Sequence, residues 1–137
     1  MMIPERPTLE RRVLAALDGS ATSPEAHEAR LRALELAPDN PALLNDLAWE
    51  EVGSGQARKA IAIAEKAVRL APTNPDVVDT YAAALDALGL CSAAIRLQMR
   101  ALDLLAEDTT PERAAAFRRR LLFYESRCRD GGPAAAR

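Results

Sequence analysis

The sequence is poor in the residues from which enzymes and metal proteins most often build their sites. It has one histidine, His27, and two cysteines, Cys91 and Cys128, among 137 residues. A single histidine excludes a histidine-rich metal site, and the cysteines show no CxxC or Cys/His spacing. The six glycines are scattered through turns and the tail, so there is no glycine-rich phosphate loop. We therefore expect a non-catalytic protein without a metal or cofactor.

Aromatic residues are few, and neither sign of charge is in large excess. Aromatics make up only 4% of the chain, although hydrophobic residues make up 49%, and Ala and Leu, both strong helix formers, carry that share. A core of such small side chains requires helices in close approach. Lys and Arg number 18 and Asp and Glu 20, for a formal charge of −2. This balance argues against a nucleic-acid partner, which usually selects a basic excess.

No hydrophobic run approaches the length of a membrane span, and residues 1–10 do not resemble a secretory signal. The spacing of the two cysteines does not indicate a disulfide framework, which favours a reducing compartment. We therefore predict a cytoplasmic protein that does not associate with membranes.

A repeated pattern with a fixed offset runs through the middle of the chain. The segment LAPDNP at positions 36–41 recurs as LAPTNP at positions 70–75, and Gly55 recurs as Gly89 at the same offset. Agreement at one offset across a whole unit indicates an internal repeat.

Each repeat has the pattern of two helices joined by a tight turn. Pro41 and Pro75 suit the first turn of a helix, where a missing N–H is harmless, and Asn40 and Asn74 stand before them as N-caps. The glycines at 55 and 89 end the first helix. Pro72 then ends the second helix of its unit.

These residues resemble the tetratricopeptide repeat, which has a large apolar and then a small residue in its first helix, as in Leu47-Ala48 and Tyr81-Ala82. Small residues in the second helix and a closing proline complete the pattern. Two positions depart from it, because Glu51 replaces a large aromatic and Ala106 replaces the closing proline. The resemblance implies an all-α fold of helical hairpins wound into a right-handed α-α superhelix.

The resemblance also divides the chain. Two clear repeats are flanked by a degenerate repeat and by a single capping helix. The capping helix does not begin a further repeat, because Arg118 takes the place that Ala82 has in the preceding repeat, where a small residue packs against the second helix. The predicted segments are an N-terminal extension (1–6), a degenerate repeat (7–40), two repeats (41–74 and 75–108), the capping helix (109–129) and a disordered tail (130–137).

The capping helix carries an apolar stripe and many arginines. The stripe consists of Ala114, Phe117, Leu121, Tyr124 and Cys128, which leaves Leu122 and Phe123 exposed and able to support self-association. The basic residues are Arg118, Arg119, Arg120, Arg127 and Arg129. They suit either the solvated face of a terminal helix or docking to an acidic surface, on a partner or on another copy of this chain.

In tetratricopeptide proteins the first helices of successive repeats line a concave groove that holds peptides or helices. Transferred to this sequence, the groove consists of Arg11, Arg12, Asn45, Asp46, Trp49, Asp76, Asp79, Thr80 and Asp86. Aspartates outnumber arginines, which predicts an acidic groove. Asp76 and Asp79 also suit the first turn of a helix without any ligand. Trp49 suits a binding anchor as well as packing near Leu14 or Leu17.

The resemblance implies an adaptor or scaffold that binds a basic or mixed-charge peptide or helix of another protein. A clamp for a terminal carboxylate is not expected, because Asp46, Asp79 and Thr80 hold the places where basic or amide side chains would be needed. The alternative is a structural subunit of a homo-oligomer, formed through the C-terminal helix, or of a fixed multiprotein assembly. His27, between Ala26 and Glu28, suits a histidine that lies at the surface or away from the groove.

Overall fold

A computed structural model describes residues 23–130, and the regular structure in this range is entirely helical. The prediction of an all-α protein is confirmed. No helix in this range is long and apolar enough to cross a membrane. The predicted positions in 1–22, among them Arg11 and Arg12, and the tail residues 131–137 lie outside the described residues. The helices are α1 (Pro24–Leu36), α2 (Pro41–Gly53), α3 (Ala57–Leu70), α4 (Pro75–Ala87), α5 (Cys91–Leu104) and α6 (Pro111–Arg129).

Four of the helices, α1, α2, α4 and α6, begin with a capping side chain followed by proline. The caps are Ser23, Asn40, Asn74 and Thr110, each of which accepts a hydrogen bond from a backbone N–H of the first turn. Such a cap satisfies an otherwise unpaired donor, and proline in the first turn loses no hydrogen bond. The predicted caps at Asn40 and Asn74 are confirmed.

The turns between α2 and α3 and between α4 and α5 depend on glycine. Gly55 and Gly89 have φ angles of +80° and +83°, in the left-handed region that other residues rarely adopt. Neither position is crowded, because no atom lies within 4 Å of an added Cβ. The backbone angle alone therefore selects glycine here.

The interior is built mainly from alanine, as the composition predicts. Ala48 of α2 packs with Ala60 and Ala64 of α3 and with Ala84 of α4, and these residues are at most 1% exposed. Alanine at these contacts lets the helix backbones approach closely, so a larger side chain would force them apart.

The last helix, α6, is fastened by two buried aromatic residues. Phe117 packs against Val78 and Ala101, and Tyr124 packs in the cluster that contains Ala82 and Ala94. Both rings lie on the predicted apolar stripe. Leu122 and Phe123 are 60% and 54% exposed, as predicted, and Arg118 also faces solvent.

The two cysteines form a disulfide that joins the start of α5 to the last turn of α6. The interpretation of the cysteine spacing as not indicating a disulfide is wrong. Helices α5 and α6 pack side by side in opposite directions, which brings the beginning of one to the end of the other. The Cα atoms of Cys91 and Cys128 are 5.6 Å apart, a separation that a disulfide spans readily.

Tyr124 makes stability sensitive to alkaline pH. Its burial raises its pKa above the ordinary value, and the charges of Asp79 and Asp86 act in the same direction, against Arg120. The phenol ionises near pH 10 in the unfolded chain but stays neutral in the fold, so the free energy of unfolding falls as pH rises above about 10. We expect Tyr124→Phe to flatten this fall in urea unfolding between about pH 9 and about pH 10.5. An equal fall in both proteins would contradict the assignment.

Candidate functional site

A cleft of about 550 Å³ lies between α2 and α6, with the first half of α4 at its base. Residues from four helices and one helix cap surround it. They are Arg30 of α1, Ala42, Asn45, Asp46, Trp49 and Glu50 of α2, Asn74, Asp76, Asp79 and Thr80 of α4 and its cap, and Arg113, Ala116, Phe117 and Arg120 of α6.

Most of the predicted groove residues meet in this cleft. Those that line it are Asn45, Asp46, Trp49, Asp76, Asp79 and Thr80. Asp86 lies further along α4 and does not line it, and Arg11 and Arg12 are outside the described residues. The cleft therefore joins equivalent positions of the two repeats, such as Asn45 of α2 and Asp79 of α4.

A buried carboxylate lies at the base of the cleft. Arg120 donates from Nε to Oδ1 of Asp79 at 2.7 Å and from Nη2 to Oδ2 at 2.8 Å. Gln98 of α5 donates from Nε2 to the same Oδ1 at 2.8 Å and to the carbonyl oxygen of Phe117 at 3.0 Å. Asp79 thus ties α4 to α5 and α6 at one point, and its side chain is only 8% exposed.

Opposing forces act on the protonation of this carboxylate. Burial raises the pKa of Asp79 above its ordinary value, while the charge and hydrogen bonds of Arg120 and the hydrogen bond of Gln98 act to lower it. Burial prevails, because desolvation penalises the charged form more than its partners compensate. Without Arg120 the ionised carboxylate would be strongly unfavourable.

Arg120 also connects the two aromatic residues of the cleft. Its guanidinium carbon lies 5.7 Å from the centroid of the Trp49 ring and 5.0 Å from that of Phe117. Both distances are within the range of cation–π attraction. Trp49 is therefore held at the side of the cleft, partly buried, by a residue of the C-terminal helix.

Three arginines of α6 pair with three aspartates of α4. Arg113 meets Asp76 at 2.9 Å and Arg127 meets Asp86 at 2.8 Å, with the Arg120–Asp79 pair between them. The arginines recur at every second helical turn, so they share one face of α6. The sequence suggested a solvated helix face, or docking to an acidic surface of a partner or another copy. Both interpretations are wrong for Arg120 and Arg127, because these two residues pair with aspartates of α4 in the same chain. Arg118, Arg119 and Arg129 are exposed to solvent, as a terminal helix allows.

A second cluster of polar residues, which we did not predict from the sequence, lies on the opposite side of the cleft. Glu50 of α2 pairs with Arg30 of α1, and its Oε1 lies 2.8 Å from Nδ1 of His27. Arg30 also approaches Asp46 at 3.8 Å. His27 lies at the surface, with its side chain 35% exposed, but it is not distant from the cleft, because it contacts Glu50 of the lining. Only the packing of α1 on α2 brings these residues together.

The charges around the cleft nearly cancel. Three arginines line it, at positions 30, 113 and 120, against four carboxylates, at positions 46, 50, 76 and 79. The predicted acidic surface is therefore mixed, with a small acidic excess. Asp46 is the most accessible of the four acids that line the cleft, at 55% side-chain exposure, and burial raises its pKa against the charge of Arg30.

One polar atom in the cleft lacks a partner. Oδ1 of Asn45 is buried, and no donor in residues 23–130 reaches it. A buried acceptor without a hydrogen bond is unfavourable, and because this atom is closed to solvent, a ligand in the cleft could reach it only if the Asn45 side chain moved.

No protein-family model matches this sequence, and no curated protein is similar enough to it to count as a relative. The tetratricopeptide resemblance therefore rests on the repeat residues alone.

Proposed function

We propose that this protein is a tetratricopeptide-type adaptor or scaffold with its helical hairpins arranged as a right-handed superhelix. The helix bounds support this assignment. The offset between the starts of α2 and α4, at Pro41 and Pro75, equals that between the starts of α3 and α5, at Ala57 and Cys91. Left-handed glycines occupy the same place in both hairpins.

The proposed activity is non-catalytic binding of another protein in the cleft. The observation that carries it is the grouping on α2 of Trp49 and half-exposed Asp46 at the side of the cleft. An aromatic anchor beside an accessible carboxylate suits a segment that has an apolar side chain and a basic side chain. Asp46 is the most exposed carboxylate of the cleft, and its contact with Arg30 is long at 3.8 Å, so Asp46 is the carboxylate that a ligand reaches first.

The ligand is accordingly a basic or mixed-charge peptide or helix, and no nucleic acid or membrane is part of the proposal. The cytoplasmic location stays a prediction. The argument for this location from the cysteine spacing no longer applies, because the two cysteines form a disulfide and disulfides are rare in reducing compartments.

Trp49 provides both the probe and the test. We expect the fluorescence of Trp49, the single tryptophan, to change on titration with capped ten-residue peptides that contain Leu and Lys or Arg. Peptides with Glu in place of the basic residues should bind more weakly, and added salt should reduce the difference.

The matched variant is Trp49→Ala, with binding measured by calorimetry. An anchor of this kind contributes about 2 kcal/mol or more, so affinity should fall roughly thirtyfold. Leu122→Ala, on the outer surface of α6, should leave affinity unchanged. The proposal is wrong if no peptide of the panel perturbs Trp49, or if both variants weaken binding equally.

Self-association is the alternative function, and the exposure of Leu122 and Phe123 is the observation that favours it. Adjacent exposed apolar side chains on a terminal helix suit a contact between copies. Light scattering separates the two functions. The adaptor predicts a monomer at all concentrations, whereas the structural subunit predicts a mass that rises with concentration and falls in Leu122→Ala.

A further inference from the structure

The first half of α6, residues 111–120, is held more firmly to the neighbouring helices than the second half, residues 121–129. In the first half, Phe117 is 2% exposed and Arg120 binds both oxygens of buried Asp79. The second half has one buried ring, Tyr124, 3% exposed, and one ion pair, in which Arg127 is 46% exposed and also donates to the carbonyl oxygen of Asp86 at 3.4 Å. Its outer residues Leu122 and Phe123 are mostly exposed. The disulfide at Cys128 is thus a major restraint on this half.

The second half of α6 also ends the cleft. Beyond Thr80 the same face of α4 continues through Ala83 to Asp86, which are only 8% and 7% exposed. Arg127 covers this stretch, donating from Nε to Oδ1 of Asp86 at 2.8 Å. If the second half of α6 left α4, the cleft would lengthen by two helical turns and gain a free carboxylate.

We propose that the Cys91–Cys128 bond is a redox latch on this second half: reduction releases residues 121–129 from α4 and extends the cleft to Asp86. Binding of a basic segment to the extended part rests on the proposed function, but the release itself does not.

The chemistry requires a dithiol reductant. One of its thiolates attacks the sulfur of Cys128, the more exposed cysteine of the pair, and the Cys91 thiolate leaves and takes up a proton. The second thiol of the reductant then displaces Cys128 from the mixed disulfide. The products are two cysteine thiols and the cyclic disulfide of the reductant, so two electrons and two protons pass to the protein.

The part of α6 that leaves α4 on reduction does not extend back to Arg120. The Asp79 carboxylate accepts hydrogen bonds from both Arg120 and Gln98, and Gln98 also holds the main chain at Phe117. None of these contacts depends on the disulfide. Residues 111–120 therefore stay docked, and the cleft beside Trp49 keeps its shape.

Amide hydrogen exchange on the full chain, oxidised and after dithiothreitol, tests the latch. A disulfide typically contributes about 2 kcal/mol or more, so exchange of residues 121–129 should accelerate about thirtyfold on reduction. Residues 111–120 and the first half of α4 should keep their rates. Equal rates in both states would overturn the latch, and so would acceleration throughout the chain, which would make the bond a general stabiliser.

Cys128→Ser is the matched control, because it removes the bond and leaves buried Cys91 in place. Its exchange should match that of the reduced protein and should not respond to dithiothreitol. A response to dithiothreitol in this variant would overturn the latch, since the reductant would then act elsewhere.

Peptide binding adds a separate result. A Leu/Lys peptide longer than ten residues should bind the reduced protein more tightly than the oxidised one, and Asp86→Asn should remove the difference. If exchange accelerates and no peptide binds either state, the latch stands and the proposed adaptor function fails. If peptides bind both states equally while exchange accelerates, the adaptor function stands and the lengthened cleft fails.

Discussion

Replacement of Asp79 with alanine is expected to lower the free energy of unfolding by about 3 kcal/mol, one of the two largest effects of a single substitution predicted for this protein. The change leaves the Arg120 guanidinium without its carboxylate, in a site where its side chain is only 28% exposed. It also removes an acceptor of fully buried Gln98. The expected value lies at the lower end of the range for buried pairs, because water still reaches Arg120 from the cleft.

The neighbouring pair supplies the control. Asp76 and Arg113 are the same residue types on the same two helices, but their side chains are 48% and 39% exposed. Exposed pairs contribute about 1 kcal/mol or less, so Asp76→Ala should have a small effect. Urea unfolding of both variants, with the disulfide intact, makes the comparison. Equal losses would show that burial does not control these pairs.

A double variant separates the cost of an unpaired charge from the value of the pair. Asp79→Leu with Arg120→Met replaces both partners by apolar side chains. Buried ion pairs often lose little or no stability when both members become apolar, so the double variant should be more stable than Asp79→Ala. A double variant as unstable as the single one would mean that the pair itself holds α6 in place.

The helices and their ends could be predicted from the sequence because their causes are local. Asn40 caps the helix whose first turn begins at Pro41, so this signal lies within a short stretch of chain. Gly89 has a left-handed φ angle that glycine itself permits, so this signal does not depend on the surrounding residues. The constant offset of the repeat extends these local signals from one hairpin to the next. The exposure of Leu122 followed from helical spacing in the same way.

The contents of the cleft could be predicted only in part, because contacts between distant segments decide them. The sequence shows arginines at positions 113, 120 and 127 and aspartates on α4, and each set alone is typical of a solvated helix face. Their pairing needs the distance and direction of α6 relative to α4, which no local pattern contains. The pairing of Glu50 with Arg30 could not be predicted for the same reason.

The disulfide could be predicted from the sequence less readily than the helix ends but more readily than the contents of the cleft. Cys128 stands one turn beyond Tyr124 on the buried stripe, and Cys91 starts the helix that α6 follows. Adjacent helices joined by a short connection run in opposite directions, so the start of one meets the end of the next. The order of the helices therefore allows the pairing, although the two cysteines belong to no closely spaced motif.

Phe117→Ala is the other substitution with a large expected effect, a loss of about 3–5 kcal/mol in the free energy of unfolding. The ring is 2% exposed, packs against Val78 and Ala101, and has the guanidinium carbons of Arg113 and Arg120 at 5.1 and 5.0 Å from its centroid. Its removal leaves a cavity under α6 and weakens the contacts that hold Arg120 beside Trp49.

Phe123→Ala is the matched control, because the same side chain is deleted from the same helix at a position that is 54% exposed. Its ring contacts Arg127 and the edge of Tyr124, so the loss should be about 1 kcal/mol or less. Trp49 fluorescence, followed during urea unfolding, reports both stability and the state of the cleft. Phe117→Ala should change the fluorescence of the folded protein, whereas Phe123→Ala should not. If the two alanine variants unfold at the same urea concentration, α6 is not anchored through the buried stripe.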